Sequence, residues 1–255
     1  MNKTIAWACA SALGCLVAIA PQASRAEDAP PLVKVEPDAL KALEAMGEHL
    51  KTLKEFTLSA ETTNEDVLDY GEKITIGGTI TYKVKTPDRL SLDMATDKMH
   101  RQYFYNGKTV TVFAPELNFY TIFPAPDTIA KTIGEAEDKY NVEVPLADLF
   151  YLGTKGSAAD ASNIRSAFYV SDSMINGISC AHYAYRTAEA HFQVWIRAEG
   201  EPLPCKVVRN LIGDPARPQY SAVLTWKQGE TLGEDLFNFT PPAGAEMIKM
   251  EGVKG

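Results

Sequence analysis

Residues 73–94 read KITIGGTITYKVKTPDRLSLDM, and the fold follows from their period. Ile74, Ile76, Ile80, Tyr82 and Val84 alternate with mostly polar neighbours; after Pro87-Asp88 the alternation resumes at Leu90, Leu92 and Met94. Successive side chains of a strand point to opposite faces, so each run has one apolar face and one wet face. Pro87-Asp88 is a turn signal, and Gly77-Gly78 inside the first run predicts a β-bulge. Two strands with a shared apolar face are not stable alone in water; they need further strands or a cover.

Both flanks supply them. Downstream, residues 101–105 and 109–113 flank Asn106-Gly107, the pair that best tolerates the positive φ of a two-residue hairpin, and residues 118–123 read as a further strand. Upstream, Phe56, Leu58 and Ala60 alternate before a polar turn over 64–71. Before them, Pro37-Asp38 opens an amphipathic helix that ends near Lys54, with Leu40, Leu43, Met46, Leu50 and Leu53 on one face. Residues 27–37 form a loose leading segment rich in proline and charge. Past residue 123 the period lengthens. Residues 126–140 read as a helix with Ile129, Ile133 and Ala136 on one side, and Pro145 opens a short helix carrying Leu146, Leu149 and Phe150. After a small-residue loop at 153–161, strands return at 166–171, 178–187, 191–198, 205–211, 220–227 and 237–239.

The sum is a mainly β, α+β chain. About eleven antiparallel strands form a strongly curved, incomplete β-barrel, and three one-sided helical segments make a lid over its concave apolar face. Residues 38–255 are expected to be one domain. Such an interior is either packed solid or holds a cavity. Candidate cavity residues are Ile74, Ile76, Ile80, Tyr82, Leu90, Leu92 and Met94 on the strands, and Leu43, Met46, Leu50, Ile129, Ile133 and Phe150 on the helices. An ordinary filled core would use the same residues, so pattern alone leaves both readings open.

The N-terminus addresses the chain. Lys3 precedes an apolar run from Ile5 to Ala20; Pro21 breaks it, and Ser24-Arg25-Ala26 has the small residues a signal peptidase reads. Residues 1–26 are therefore expected to be cleaved after Ala26, releasing a soluble periplasmic monomer. A retained anchor, or a lipoprotein modified at Cys15 in Ala12-Leu13-Gly14-Cys15, is the lesser alternative. With 25 basic against 33 acidic residues the net charge is −8. That excludes nucleic-acid binding by counterion release and simple attraction to anionic membrane surfaces.

Cys180 and Cys205 stay with the mature chain, in a compartment that permits disulfides. The pattern puts them on the first and third strands of a meander, where the Cα atoms would stand about 10 Å apart, beyond the roughly 7 Å a bridge spans. Only a bulge or strong curl would join them.

No sequence signature for a zinc protease, nucleophile elbow, phosphate-binding loop or dinucleotide site is present, and His49, His100, His182 and His191 lack metal-ligand spacing. Glu65-Asp66-Asp69 is a turn without the spacing of a calcium loop, and Glu135-Glu137-Asp138 reads as the wet face of a helix. No cofactor, metal or catalytic residue is expected, and the reading is non-enzymatic.

Three stretches carry a resemblance: Gly177-Ile178-Ser179-Cys180-Ala181-His182, Gln193-Val194-Trp195-Ile196 and Gly200-Glu201-Pro202-Leu203-Pro204-Cys205-Lys206. They resemble the periplasmic family called domain of unknown function 2092. The closing Phe237-x-Phe239-Thr240-Pro241-Pro242-x-Gly244-Ala245 is similar to a wider group that includes the outer-membrane lipoprotein carrier and its receptor partner. That resemblance implies an incomplete barrel with a helical lid over a hydrophobic cavity, and no catalytic residues. Phe192 stands where a tryptophan is expected and Cys205 where a basic residue is expected. The implied function is to hold a lipid, a lipoprotein acyl chain or another apolar molecule. The alternative is an envelope sensor that binds a partner protein on the same fold.

Overall fold

The alternating runs pair as their period demands. In the computed structural model, β1 (Glu55–Val67), β2 (Lys73–Lys85) and β3 (Arg89–Thr96) are antiparallel in unbroken register, with Leu58 opposite Tyr82 and Tyr82 opposite Leu92. β4 (His100–Tyr105), β5 (Thr109–Ala114) and β6 (Phe119–Pro124) continue the meander. β7 (Ser166–Ile175), β8 (Ile178–Arg186), β9 (Ala190–Arg197), β10 (Pro204–Leu211) and β11 (Gln219–Gln228) form a second meander, joined to the first where β11 pairs with β1. A two-residue β12 (Glu246–Met247) lies parallel to β6 at the far edge. The result is one curved, open sheet of twelve strands, ordered β12-β6-β5-β4-β3-β2-β1-β11-β10-β9-β8-β7. The structure describes residues 34–142, 144–151, 161–188 and 190–250. The expected signal peptide at 1–26, the lipobox-like Ala12–Cys15 and the leading segment up to residue 33 lie outside them.

The helices share one face of the sheet but cover different halves. α1 (Pro37–Thr52) starts with Pro37 at its first position and buries Ala39, Leu43 and Met46 against Ala167, Tyr185, Val194 and Ile196 of β7–β9. α2 (Ile129–Tyr140) is capped by Thr128, whose hydroxyl accepts the Lys131 N–H at 3.4 Å, and buries Ile129, Ile133 and Ala136. The short α3 (Asp148–Tyr151) and the turn before it bridge the middle.

The opposite face is strapped by the C-terminal segment. Glu234 accepts from Lys85 Nζ at 2.7 Å and Arg89 Nε at 3.0 Å. Phe239 then packs its ring 5.3, 5.1 and 5.2 Å from those of Phe104, Phe113 and Tyr120, before the chain reaches β12.

Several local expectations are corrected. Gly77-Gly78 is not a bulge: β1 and β2 stay in step through it, and a Cβ on Gly78 would stand 2.9 Å from the Ala95 carbonyl oxygen. Close approach of neighbouring backbone, rather than an extra residue, explains glycine there. β1 continues to Val67, shortening the polar turn, because its polar tail still finds ladder partners on β2 as far as Val67 and on β11 as far as Asn64. The segment 237–239 is not a strand; Phe237 closes a 3-10 turn (Glu234–Phe237) and is fully buried. The helix expected from Pro145 begins at Asp148, since Leu146 takes a positive φ of 59°. The leading segment is tied down from Lys34: Glu36 donates its N–H to Ala167 O at 2.7 Å, and Ala167 donates to Lys34 O at 2.9 Å.

Cys180 and Cys205 are bonded, with Cα atoms 6.7 Å apart. Pro204 pairs with Ile196 and Lys206 with Trp195, so Cys205 is the extra residue of a bulge. The bulge bends β10 and turns Cys205 toward Cys180, Trp195 and Val208 on the face away from the helices.

Candidate functional site

Because α1 and α2 pack on separate halves of the sheet, their seam falls over the central strands. A cavity of about 220 Å³ opens there. Its floor is Phe56 and Leu58 of β1 with Trp226 of β11; its walls are Leu50 and Lys51 at the end of α1, Thr128, Ile129 and Ala130 at the start of α2, and Leu149 and Phe150 of α3. Thr86 and Pro87, in the turn between β2 and β3, complete the lining. One lining residue, Lys51, is charged; its ammonium lies 2.7 Å from Glu48.

The lining is held rather than merely crowded. Trp226 Nε1 donates to Pro204 O at 2.8 Å, and the indole packs 5.5 Å from the Phe56 ring. Phe150 meets Tyr82 edge-on at 5.5 Å. Tyrosine hydroxyls fasten the lid to the sheet: Tyr82 donates to Pro145 O, Tyr105 to Pro126 O at 2.6 Å, and Tyr185 to Ala39 O at 2.8 Å. Between lid elements, Tyr151 of α3 donates to Ala130 O at 3.1 Å. Burial raises the pKa of Tyr82, Tyr105, Tyr151 and Tyr185, with Tyr151 pushed up to about 12, so all four stay neutral donors at physiological pH.

A second, smaller space of about 30 Å³ lies under α2, lined by Leu90, Leu92, Tyr103, Tyr105, Val110, Ile129, Thr132, Ile133, Ala136, Val142 and Val144. Of the residues singled out from sequence, Leu50, Ile129 and Phe150 line the larger cavity, and Leu90, Leu92 and Ile133 line the smaller space beside Ile129. Ile80, Tyr82 and Met94 are buried in the central core, and Leu43 and Met46 on the buried face of α1, and none of them lines either space. Ile74 and Ile76 are half-buried and belong to no core cluster, because the β1–β2 hairpin runs on past the lid. Sequence reasoning missed Leu58, Trp226 and Leu149; Leu58 alternates with polar neighbours as clearly as Leu92 does, and was available as a signal.

The four histidines stand apart. His182 stacks on Trp195 at 3.8 Å on the outer face, with Gln193 Oε1 2.9 Å from its Nε2 and Lys206 4.9 Å over the indole. Among the described residues, no group of three or more His, Cys, Asp and Glu side chains could hold a metal ion.

The structure is thus an open, curved sheet with a helical cover and a cavity at the seam. Its family is established by sequence: residues 39–251 match the model described as "Predicted periplasmic protein (DUF2092)", and the chain belongs to that family of periplasmic proteins. No curated protein matches the chain. Among solved structures, it is similar to the Mycobacterium tuberculosis lipoprotein LppX (12% identity, TM-score 0.48, covering 78% of this chain and 100% of that one). It is similar also to the LolA superfamily protein NE2245 from Nitrosomonas europaea (10%, TM-score 0.35, 79% and 97%). MucB matches at 13% identity and a TM-score of 0.43, covering 80% of this chain, which spans only 64% of MucB. Likeness at this level says nothing about what the chain binds.

Proposed function

We propose that this is a non-enzymatic binding protein, exported by cleavage after Ala26, that holds a small apolar ligand or the end of a lipid or lipoprotein acyl chain. The observation that carries the reading is the seam cavity, whose lining is apolar apart from Lys51, Thr86 and Thr128. An apolar cavity of about 150 Å³ suffices to bind benzene, and drug-sized sites begin near 300 Å³. At about 220 Å³ this one suits a compact apolar group or a chain terminus, not a whole lipid. Left empty, such a space forgoes packing worth at most about 5 kcal/mol, at roughly 24 cal/mol per Å³. A fitting apolar ligand supplies it.

The test is native mass spectrometry of protein purified from periplasm, followed by organic extraction. Wild type and Lys41→Glu, altered at an exposed site on α1, should carry an extractable apolar mass; Ala130→Trp, which fills the cavity, should lose it. A clean unliganded mass for wild type after incubation with envelope lipids and short fatty acids refutes the proposal.

One observation favours a protein partner as the second reading. Beyond Ala167, the outer edge of β7 pairs with no strand among the described residues, and Phe168, Tyr169, Val170 and Met174 on it are 38%, 44%, 44% and 66% exposed. The Tyr169 N–H on that edge donates to Glu36 Oε2 at 2.9 Å, and the edge beyond it can accept an extended segment of another chain. A stoichiometric partner captured by wild type and lost in Met174→Lys would move this reading to first place.

A further inference from the structure

We propose that Ile129 is a specificity-determining residue that sets ligand length by closing one end of the seam cavity. The inference rests on the apolar-ligand reading above and deepens it. Ile129 is the one residue that lines both the 220 Å³ cavity and the 30 Å³ space beside it. Its side chain, 5% exposed, stands between the two spaces.

The partition is held from the backbone. Ile129 donates its N–H to Pro87 O at 2.9 Å, at the base of the turn that also lines the cavity. On one side Thr128 caps α2 through Lys131 N–H; on the other, the Thr132 hydroxyl donates to Pro126 O at 3.4 Å. Pro126 O in turn accepts from Tyr105 of β4 at 2.6 Å. With the Ile129 backbone bonded to the β2–β3 turn and Pro126 bonded to β4, the start of α2 is tied to the sheet and a small slide of the helix is resisted. A β-branched side chain in a helix also has one strongly preferred rotamer, so it does not swing aside cheaply.

Beyond the partition the smaller space is walled by apolar atoms, and the hydroxyls of Tyr105 and Thr132 both donate to Pro126 O. It adds no polar group that a ligand would have to satisfy. A ligand chain reaching Ile129 therefore stops for lack of room, not of affinity. Truncating Ile129 to alanine removes three carbons and joins a space with the volume of about one water molecule. The merged space admits two to four more carbons of a linear chain.

Each additional buried methylene tightens binding about fourfold, equivalent to about 0.8 kcal/mol. The experiment titrates saturated fatty acids of increasing length, from about six to about sixteen carbons, into delipidated protein by calorimetry. For wild type, affinity should rise about fourfold per carbon and then level off at a definite length. In Ile129→Ala the levelling point should move two to four carbons longer, and acids of that length should bind at least tenfold tighter than to wild type. Ile129→Val should move it by about one carbon, and decides the matter should the alanine variant fail to fold by circular dichroism. Val84→Ala, a truncation in the same core that touches neither space, should leave the profile unchanged. Binding with the same levelling point in wild type and both Ile129 variants overturns the partition and leaves the cavity reading standing. No binding of any acid by wild type overturns the cavity reading and the partition with it.

Discussion

Replacing Cys180 and Cys205 together by alanine releases a bridge that spans 25 positions of sequence. In the chain-entropy account, opening a loop of that length returns about 12 cal/mol/K to the unfolded chain, about 3.5 kcal/mol at 25 °C. Both cysteines are buried, at 0% and 3% exposure beside Trp195 and Val208, so loss of the sulfurs' packing adds to the cost. The bridge fastens β8 to β10 across β9, and α1 lies on the other face of β7–β9, bringing Leu50 to the cavity wall. For a chain of this size, 1 kcal/mol corresponds to about 2–4 °C in Tm, which predicts a fall of about 7–14 °C. Urea unfolding followed by circular dichroism is the assay. The free energy of unfolding should drop by about 3–4 kcal/mol and the m-value should rise, because the unfolded chain without its cross-link expands and exposes more surface. A loss below about 1 kcal/mol with an unchanged m-value would refute the account, as would two free thiols titrating in native protein from the periplasm.

Two further outcomes test the lid and the outer face. Tyr185→Phe deletes a buried hydroxyl that donates to Ala39 O in the first turn of α1; it should cost about 1 kcal/mol in urea unfolding and speed amide exchange in that turn, and unchanged exchange would count against a latch. For His182 and His191, burial, offset at His182 by Gln193, lowers the pKa below the ordinary 6.5, so the folded protein binds fewer protons than the unfolded chain. That stability is complete above pH 6.5 and is lost as pH falls through the folded values, so Tm should decline from about pH 6.5 downward and His182→Gln should flatten the decline; a Tm that rises over that interval reverses the sign.

The strands and helices were legible because the signal is local. Alternation in residues 73–94 places Ile80, Tyr82, Leu90 and Leu92 on one face before any partner is known, and the one-sided apolar faces of α1 and α2 do the same for the lid. Where local signals had two meanings, the pattern misled. Glycine inside a strand marks either a bulge or a close approach, and at Gly78 the Ala95 carbonyl 2.9 Å from a would-be Cβ decides for the second. Phe237 and Phe239 look like alternating strand residues, yet they anchor a strap across the outer face. Ile74 and Ile76 carry the right period but lie beyond the reach of the helices, a matter of where the lid ends.

By itself, the sequence determined the mainly β composition, the order and approximate bounds of nearly every element, the single apolar face of the sheet, and the absence of charge suited to nucleic acid. It also carried the family, in the segments around Cys180, Trp195 and Cys205 that fall within the matched residues 39–251. Tertiary structure alone decided that Cys180 and Cys205 meet, because the single extra residue in β10 brings the Cα atoms to 6.7 Å. It alone decided where the interior stays open. Periodicity states which side of an element is apolar, but whether apolar sides fill the space between them depends on how helices far apart in sequence divide one sheet. Here α1 takes β7–β9 and α2 takes the strands around β3–β5, and the cavity lined by Ile129 is what remains between them.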